Sequence, residues 1–128
     1  MKLLIVEEVP AMRRLIRSLL EDLALTVDEC HDGRETLAAC AARRPDWVLL
    51  DLNLSDTDAM EAARQIGIVH PRMNILIFAE QDNFLLREQA RTAGARAYVL
   101  KENLLELRVL LQRAAAQESD QQSSGNEE

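Results

Sequence analysis

Aromatic residues are scarce in this chain, at 3% of the sequence, with one Trp, one Tyr and two Phe. A core without them must be built from Leu, Ile, Val and Ala. Long apolar runs are missing as well: none approaches the roughly 20 residues that a membrane-crossing helix needs, so no membrane contact is expected. The opening offers no secretory leader, since Lys2 is followed by only four apolar residues before Glu7. The two cysteines, Cys30 and Cys40, match no metal-binding or redox spacing. Both fall in apolar-periodic stretches and read as buried free thiols, which suits a reducing cytoplasm. There is no basic stripe, and the net charge is −7, which argues against nucleic-acid binding by this domain. Arg13, Arg14 and Arg17 do cluster, but they alternate with apolar residues and read as the solvated face of one helix.

What is present is an alternation of strand-like and helix-like segments over 128 residues, enough for one domain and one core. Leu3–Val6 is a short apolar run ending at two acids. Pro10 suits a first helical position, where its missing N–H costs nothing, and Met12, Leu15, Ile16, Leu19, Leu20 and Leu23 follow helical spacing on one face. Leu25–Cys30 reads as a second strand. Asp32 to Glu35 has the form of a capping box, and Pro45 stops the helix that follows. Trp47–Asp51 is apolar up to its carboxylate, as expected of a strand buried on both faces in a parallel sheet. Asp58 and Glu61 again have the cap-and-Glu form. Ile75–Ala79 is a fourth strand, Asp82 can cap the next helix, and Gly94 ends it. Ala97–Lys101 is the fifth strand. Asn103 and Glu106 can cap a last helix that buries Leu104, Leu107, Leu111 and Ala114.

Five strand–helix units in series imply an α/β fold, a parallel sheet covered by helices on both sides. The domain is expected to span 1–117. From Glu118 the composition turns to Gln, Ser, Gly and acids, and 118–128 reads as a disordered acidic tail or linker.

In such a sheet, functional groups gather at the carboxyl ends of the strands. Glu7 and Glu8 follow the first strand, Asp51 ends the third and Lys101 ends the fifth. Lys101 carries weight because the chain has two lysines against thirteen arginines. Carboxylates crowded together repel one another. A divalent cation would relieve that repulsion, and a lysine would offset part of it. Mg²⁺ suits the composition because it binds through few carboxylates and keeps several waters. A carboxylate beside Mg²⁺ and Lys can attack a phosphoryl group.

At this point three segments resemble the receiver domain of bacterial two-component response regulators. They are Leu4-Ile5-Val6-Glu7-Glu8, Asp46-Trp47-Val48-Leu49-Leu50-Asp51-Leu52-Asn53-Leu54, and Ala93-Gly94-Ala95-Arg96-Ala97-Tyr98-Val99-Leu100-Lys101. The resemblance covers residues 2 to about 117. It implies a flavodoxin-like, doubly wound five-stranded sheet with strand order 2-1-3-4-5. It implies that Asp51 accepts a phosphoryl group from a histidine kinase or a small phosphodonor, with no enzymatic activity beyond the domain's own phosphorylation and dephosphorylation. Glu8 would bind Mg²⁺ directly, Glu7 would support it through water, and the backbone carbonyl of Asn53 would be a third ligand. Lys101 would pair with the phosphoryl oxygens, and Tyr98 would be the aromatic switch. Arg87, Arg91, Arg96, Tyr98 and Arg108 would lie on the face of the fourth helix, fifth strand and fifth helix, which receivers use for homodimers or output contacts.

Several residues depart from the family pattern. The acidic pair is Glu–Glu. Ala79 stands where a Thr or Ser would bond the phosphoryl, and Glu80 follows it where a small residue is usual. Ser55 replaces a Pro, Ala59 a Gly and Glu102 a Pro. Two readings follow: a phosphorylated receiver with a weakened switch, or a phosphorylation-independent interaction module. Outside the family, a phosphohydrolase of the haloacid dehalogenase type would need an Asp where Asn53 stands. A flavin or nucleotide binder would need a Gly-rich loop where Glu7-Glu8-Val9-Pro10 stands.

Overall fold

The structure, a computed structural model, describes residues 1–126, and the side chains as far as Glu118. Its strands are the short apolar runs of the sequence. They are β1 (Lys2–Val6), β2 (Thr26–Cys30), β3 (Trp47–Asp51), β4 (Asn74–Ala79) and β5 (Ala97–Leu100). All pair in parallel in the order β2-β1-β3-β4-β5, as the resemblance implied. The helices are α1 (Pro10–Leu20), α2 (Thr36–Arg43), α3 (Ala59–Val69), α4 (Phe84–Thr92) and α5 (Leu104–Asn126).

Strand alternation divides the core in two. Leu4, Val6, Val48, Leu50, Ile75 and Ile77 point to one face and pack with Cys40 of α2, Ala63 and Ile66 of α3 and Ala90 of α4. Leu3, Ile5, Leu49, Leu76, Phe78 and Val99 point to the other and meet Ile16 and Leu20 of α1 and Leu107 and Leu111 of α5. β1 and β3 are apolar on both faces because both faces are covered. Cys30 and Cys40 are free and buried as expected, and burial, then the neighbouring Cys30, pushes the Cys40 thiol up to about 11. Among the described residues no helix is long and apolar enough to cross a membrane.

Local details differ from the sequence reading. Leu15 is 48% exposed, and Arg13 takes a buried place on α1 instead. The spacing 13, 16, 20 is as helical as 15, 16, 19, and a long aliphatic stem lets an arginine lie along an apolar face. Asp32 accepts from the Arg34 N–H and starts a 3₁₀ turn (Gly33–Glu35) rather than a capping box. Asn83, not Asp82, caps α4 by accepting from the Leu86 N–H, because Asp82 is held by Arg87 at 2.7 Å. Asp58 caps α3 by accepting from the Glu61 N–H, while the Glu61 carboxylate turns to Arg64 and Gln65; Asn103 accepts from the Glu106 N–H and its side-chain amide donates to the Glu106 carboxylate. β5 stops at Leu100, and the Lys101 N–H still reaches the Ala79 carbonyl at 2.7 Å. α5 continues unbroken to Asn126. The backbone of 118–126 is a continuation of that helix, and no proline interrupts it. Residues 127 and 128 lie outside the described residues.

Candidate functional site

Chain order reverses at β1, which has β2 on one side and β3 on the other. In open α/β sheets such a switch point leaves a crevice at the carboxyl ends of the strands. Val6 pairs with Leu50, so the residues just beyond, Glu7 and Asp51, come out side by side. Asp51 is 3% exposed and Glu7 1%. Lys101 reaches across from the end of β5, its Nζ 2.9 Å from Asp51 Oδ1, 3.5 Å from Glu7 Oε2 and 4.0 Å from Glu80 Oε1. Asp51 Oδ1 also accepts from the Asn53 N–H at 2.9 Å. Three of the expected site residues therefore meet in one buried cluster.

The electrostatics follow from that crowding. Burial pushes the Glu7 carboxyl up to about 7, and the neighbouring Asp51 pushes the same way, while Lys101 opposes them. Among the described residues neither Glu7 oxygen has a hydrogen-bond partner, the Lys101 ammonium standing 3.5 Å from Oε2. Burial works against the Lys101 ammonium. The bond to Asp51 and the charges of Asp51, Glu7 and Glu80 outweigh it and hold Lys101 above the ordinary lysine value.

Glu8 departs from the expected geometry. It does not join Asp51: its Oε1 accepts from both the backbone N–H and the hydroxyl of Ser55, at 2.7 and 2.8 Å. Its extra methylene gives it the reach to the β3–α3 loop. Among the described residues, no three acidic, histidine or cysteine side chains stand ready to hold a metal. The donor chemistry still suits a hard cation, because Glu7 presents buried oxygens without donors beside Asp51.

Two contributors were not legible as site residues. Arg13, expected on the solvated face with Arg14 and Arg17, is 9% exposed. Its Nη1 donates to the Glu7 and Glu8 carbonyls at 2.6 and 3.0 Å, and its Nε lies 3.5 Å from Glu29. It thereby fixes the backbone of the acidic pair. Its position three before buried Ile16 was the available signal. Ser55 was noted as a departure, but not as the partner of Glu8.

Ala79 is fully buried and offers no hydroxyl. Glu80 does face the site, but its side chain is mostly exposed. Tyr98 is buried, its hydroxyl donating to the Gln81 carbonyl at 2.7 Å, with the Arg87 guanidinium 4.8 Å from its ring centre. The five residues expected on one face do not stay together. Arg91 pairs with Glu88 on α4. Arg96 lies over Trp47 and bonds Asn74, at the opposite end of the sheet. Arg108 is drawn to the Leu19 carbonyl and Asp22 on the α1 side, where a bidentate carboxylate satisfies its fork.

A doubly wound sheet with a buried aspartate and lysine at its switch point is the receiver class of signalling domain. The response regulator receiver domain model matches residues 3–114. Response regulator MprA of Mycobacterium ulcerans (strain Agy99) is 31% identical over 124 residues, covering 93% of this chain and 53% of that protein. A crystal structure of a LuxR-family two-component response regulator from Aurantimonas sp. SI85-9A1 superposes with a TM-score of 0.82 at 29% identity, over 90% of this chain and 84% of that one. The Mn²⁺-bound form of response regulator Rcp1 shares the fold, with a TM-score of 0.72 at 22% identity over 87% and 88% of the two chains. The chain belongs to the response regulator receiver domain family, and is a receiver domain of two-component signalling. It spans about half the length of the curated relatives it matches.

The raised Glu7 value sets a pH dependence. Between the ordinary value of 4.5 and about 7, the folded chain keeps a proton that the unfolded chain releases. Stability contributed by Glu7 is therefore present below that window and lost as pH rises through it. Glu7→Gln removes the effect. Urea melts are expected to show the variant more stable than the parent at pH 8, with the difference shrinking at pH 5.5.

Proposed function

We propose that Asp51 is the phosphoacceptor of this receiver, taking a phosphoryl group from a histidine kinase. The observation that carries the reading is the buried Asp51 at the end of β3 with Lys101 at 2.9 Å. Both described bonds to Asp51 fall on Oδ1, from Lys101 and the Asn53 N–H. The lone pairs of Oδ2 are the ones left for attack on phosphorus. In that step an O–P bond forms, the P–N bond of the phosphohistidine breaks, and the imidazole nitrogen takes the electron pair and a proton. Lys101 then pairs with the phosphoryl oxygens. Glu7, Glu8, Asp51 and the Asn53 carbonyl would hold Mg²⁺, which when bound would neutralise charge on the transferred group. The Mn²⁺ bound by the fold relative Rcp1 supports a divalent cation here.

Phosphorylation is read out weakly. Ala79 has no hydroxyl to pull the β4–α4 loop toward a phosphoryl group, and a hydrogen bond to a charged group is worth about 1.5–3 kcal/mol. Tyr98 is already tied to Gln81 and covered by Arg87. That same observation favours the second reading, a phosphorylation-independent interaction module with Arg87 and Tyr98 on its contact face. A homodimer or an output domain through α4, β5 and α5 is proposed in either case, with 118–128 outside the receiver core as tail or linker. The domain is proposed to act in the cytoplasm.

Acetyl phosphate with Mg²⁺, read by intact mass, is expected to add one phosphoryl group to the parent and none to Asp51→Asn. No gain in the parent would favour the interaction module. Ala79→Thr is expected to enlarge the phosphodonor-dependent NMR shift changes around Tyr98 relative to the parent. Equal changes in the two proteins would count against the weakened switch.

A further inference from the structure

We propose that Ser55 is a positioning residue that latches Glu8 away from Asp51 and thereby sets the affinity of the site for a divalent cation. The inference rests on the reading of Asp51, Glu7 and Glu8 as the cation-binding face of a receiver.

The latch joins two loops 47 residues apart in sequence, with two donors of one residue on one oxygen, Glu8 Oε1. Arg13 holds the carbonyls of Glu7 and Glu8 from behind. The backbone of the pair is therefore fixed, and Glu8 chooses between Ser55 and the Asp51 site by rotating its own side chain. Glu7, the next residue, already points at Asp51 and Lys101. To join it, Glu8 must give up both Ser55 bonds.

The two residue types are matched. A proline at 55 would have neither the N–H nor the hydroxyl. An aspartate at 8, one carbon shorter on the same fixed backbone, would fall short of Ser55. Glu8 is thus long enough for either position, and Ser55 supplies the reason to stay in the outer one. The latch lies at the protein surface, where water replaces broken hydrogen bonds at modest cost, so the effect on affinity is graded rather than absolute.

The test is Mn²⁺ binding to the full chain, read by the loss of the free-ion EPR signal, with Mg²⁺ as competitor and circular dichroism to check folding. Ser55→Pro is expected to bind Mn²⁺ about tenfold more tightly than the parent, equivalent to about 1.4 kcal/mol. Ser55→Ala, which keeps the N–H and the backbone freedom, is expected to gain roughly threefold, one donor of two being lost. In a Glu8→Asp background, Ser55→Pro is expected to change affinity less than about twofold, because the pair no longer touches. Measurable Mn²⁺ binding that neither Ser55 variant strengthens overturns the latch alone. Equal gains from Ser55→Pro in both backgrounds overturn the matching of Ser55 to Glu8. No Mn²⁺ binding by any of these proteins overturns the latch together with the cation site it rests on.

Discussion

One lysine holds this site together. Two carboxylates, Glu7 and Asp51, are buried side by side at the switch point of the sheet, and Lys101 is the cation that faces both. Like charges cannot share so dry a place without compensation. Compensation comes from the ammonium 2.9 Å from Asp51 and from the raised proton affinity of Glu7. The rest of the architecture serves that arrangement. Parallel pairing brings β1 and β3 level, and the Lys101 N–H, bonded to Ala79, fixes the end of β5 beside them.

The loops around this cluster fix how it can be used. Arg13 pins the acidic pair from below, so motion is confined to side chains. Ser55 draws Glu8 outward, toward the β3–α3 loop. Ala79 offers the β4–α4 loop no hydroxyl, while Tyr98 is bonded within that loop at Gln81. Asp51, Glu7 and Lys101 thus meet as the strand ends imply, while Glu8 is drawn to Ser55.

Much of the fold was legible because parallel strands buried on both faces are near-continuous apolar runs, and β3 was readable to the residue. Asp51, Glu7 and Lys101 were legible because strand ends in this topology must converge. What escaped were choices between near-equal local partners. Asp82 and Asn83 can both cap a helix, and Arg87 decided between them by engaging Asp82. Leu15 and Arg13 flank the buried stripe of α1 on opposite sides, and the carbonyls of Glu7 and Glu8 draw the arginine in. Arg96 and Arg108 were grouped with Tyr98, but Asn74, Trp47 and Asp22 recruited them elsewhere. The first two outcomes turn on side-chain partners five or six residues away and the last on partners 22 and 86 residues away, and apolar periodicity supplies neither.

Lys101 and the raised proton affinity of Glu7 jointly stabilise the buried acid pair. The most direct measurement is a ¹³C NMR titration of the Glu7 carboxyl carbon in the parent and in Lys101→Met. The account expects a midpoint near 7 in the parent and a higher one in the variant, where the opposing cation is gone. A parent midpoint in the ordinary carboxylate range, unmoved by Lys101→Met, would contradict it.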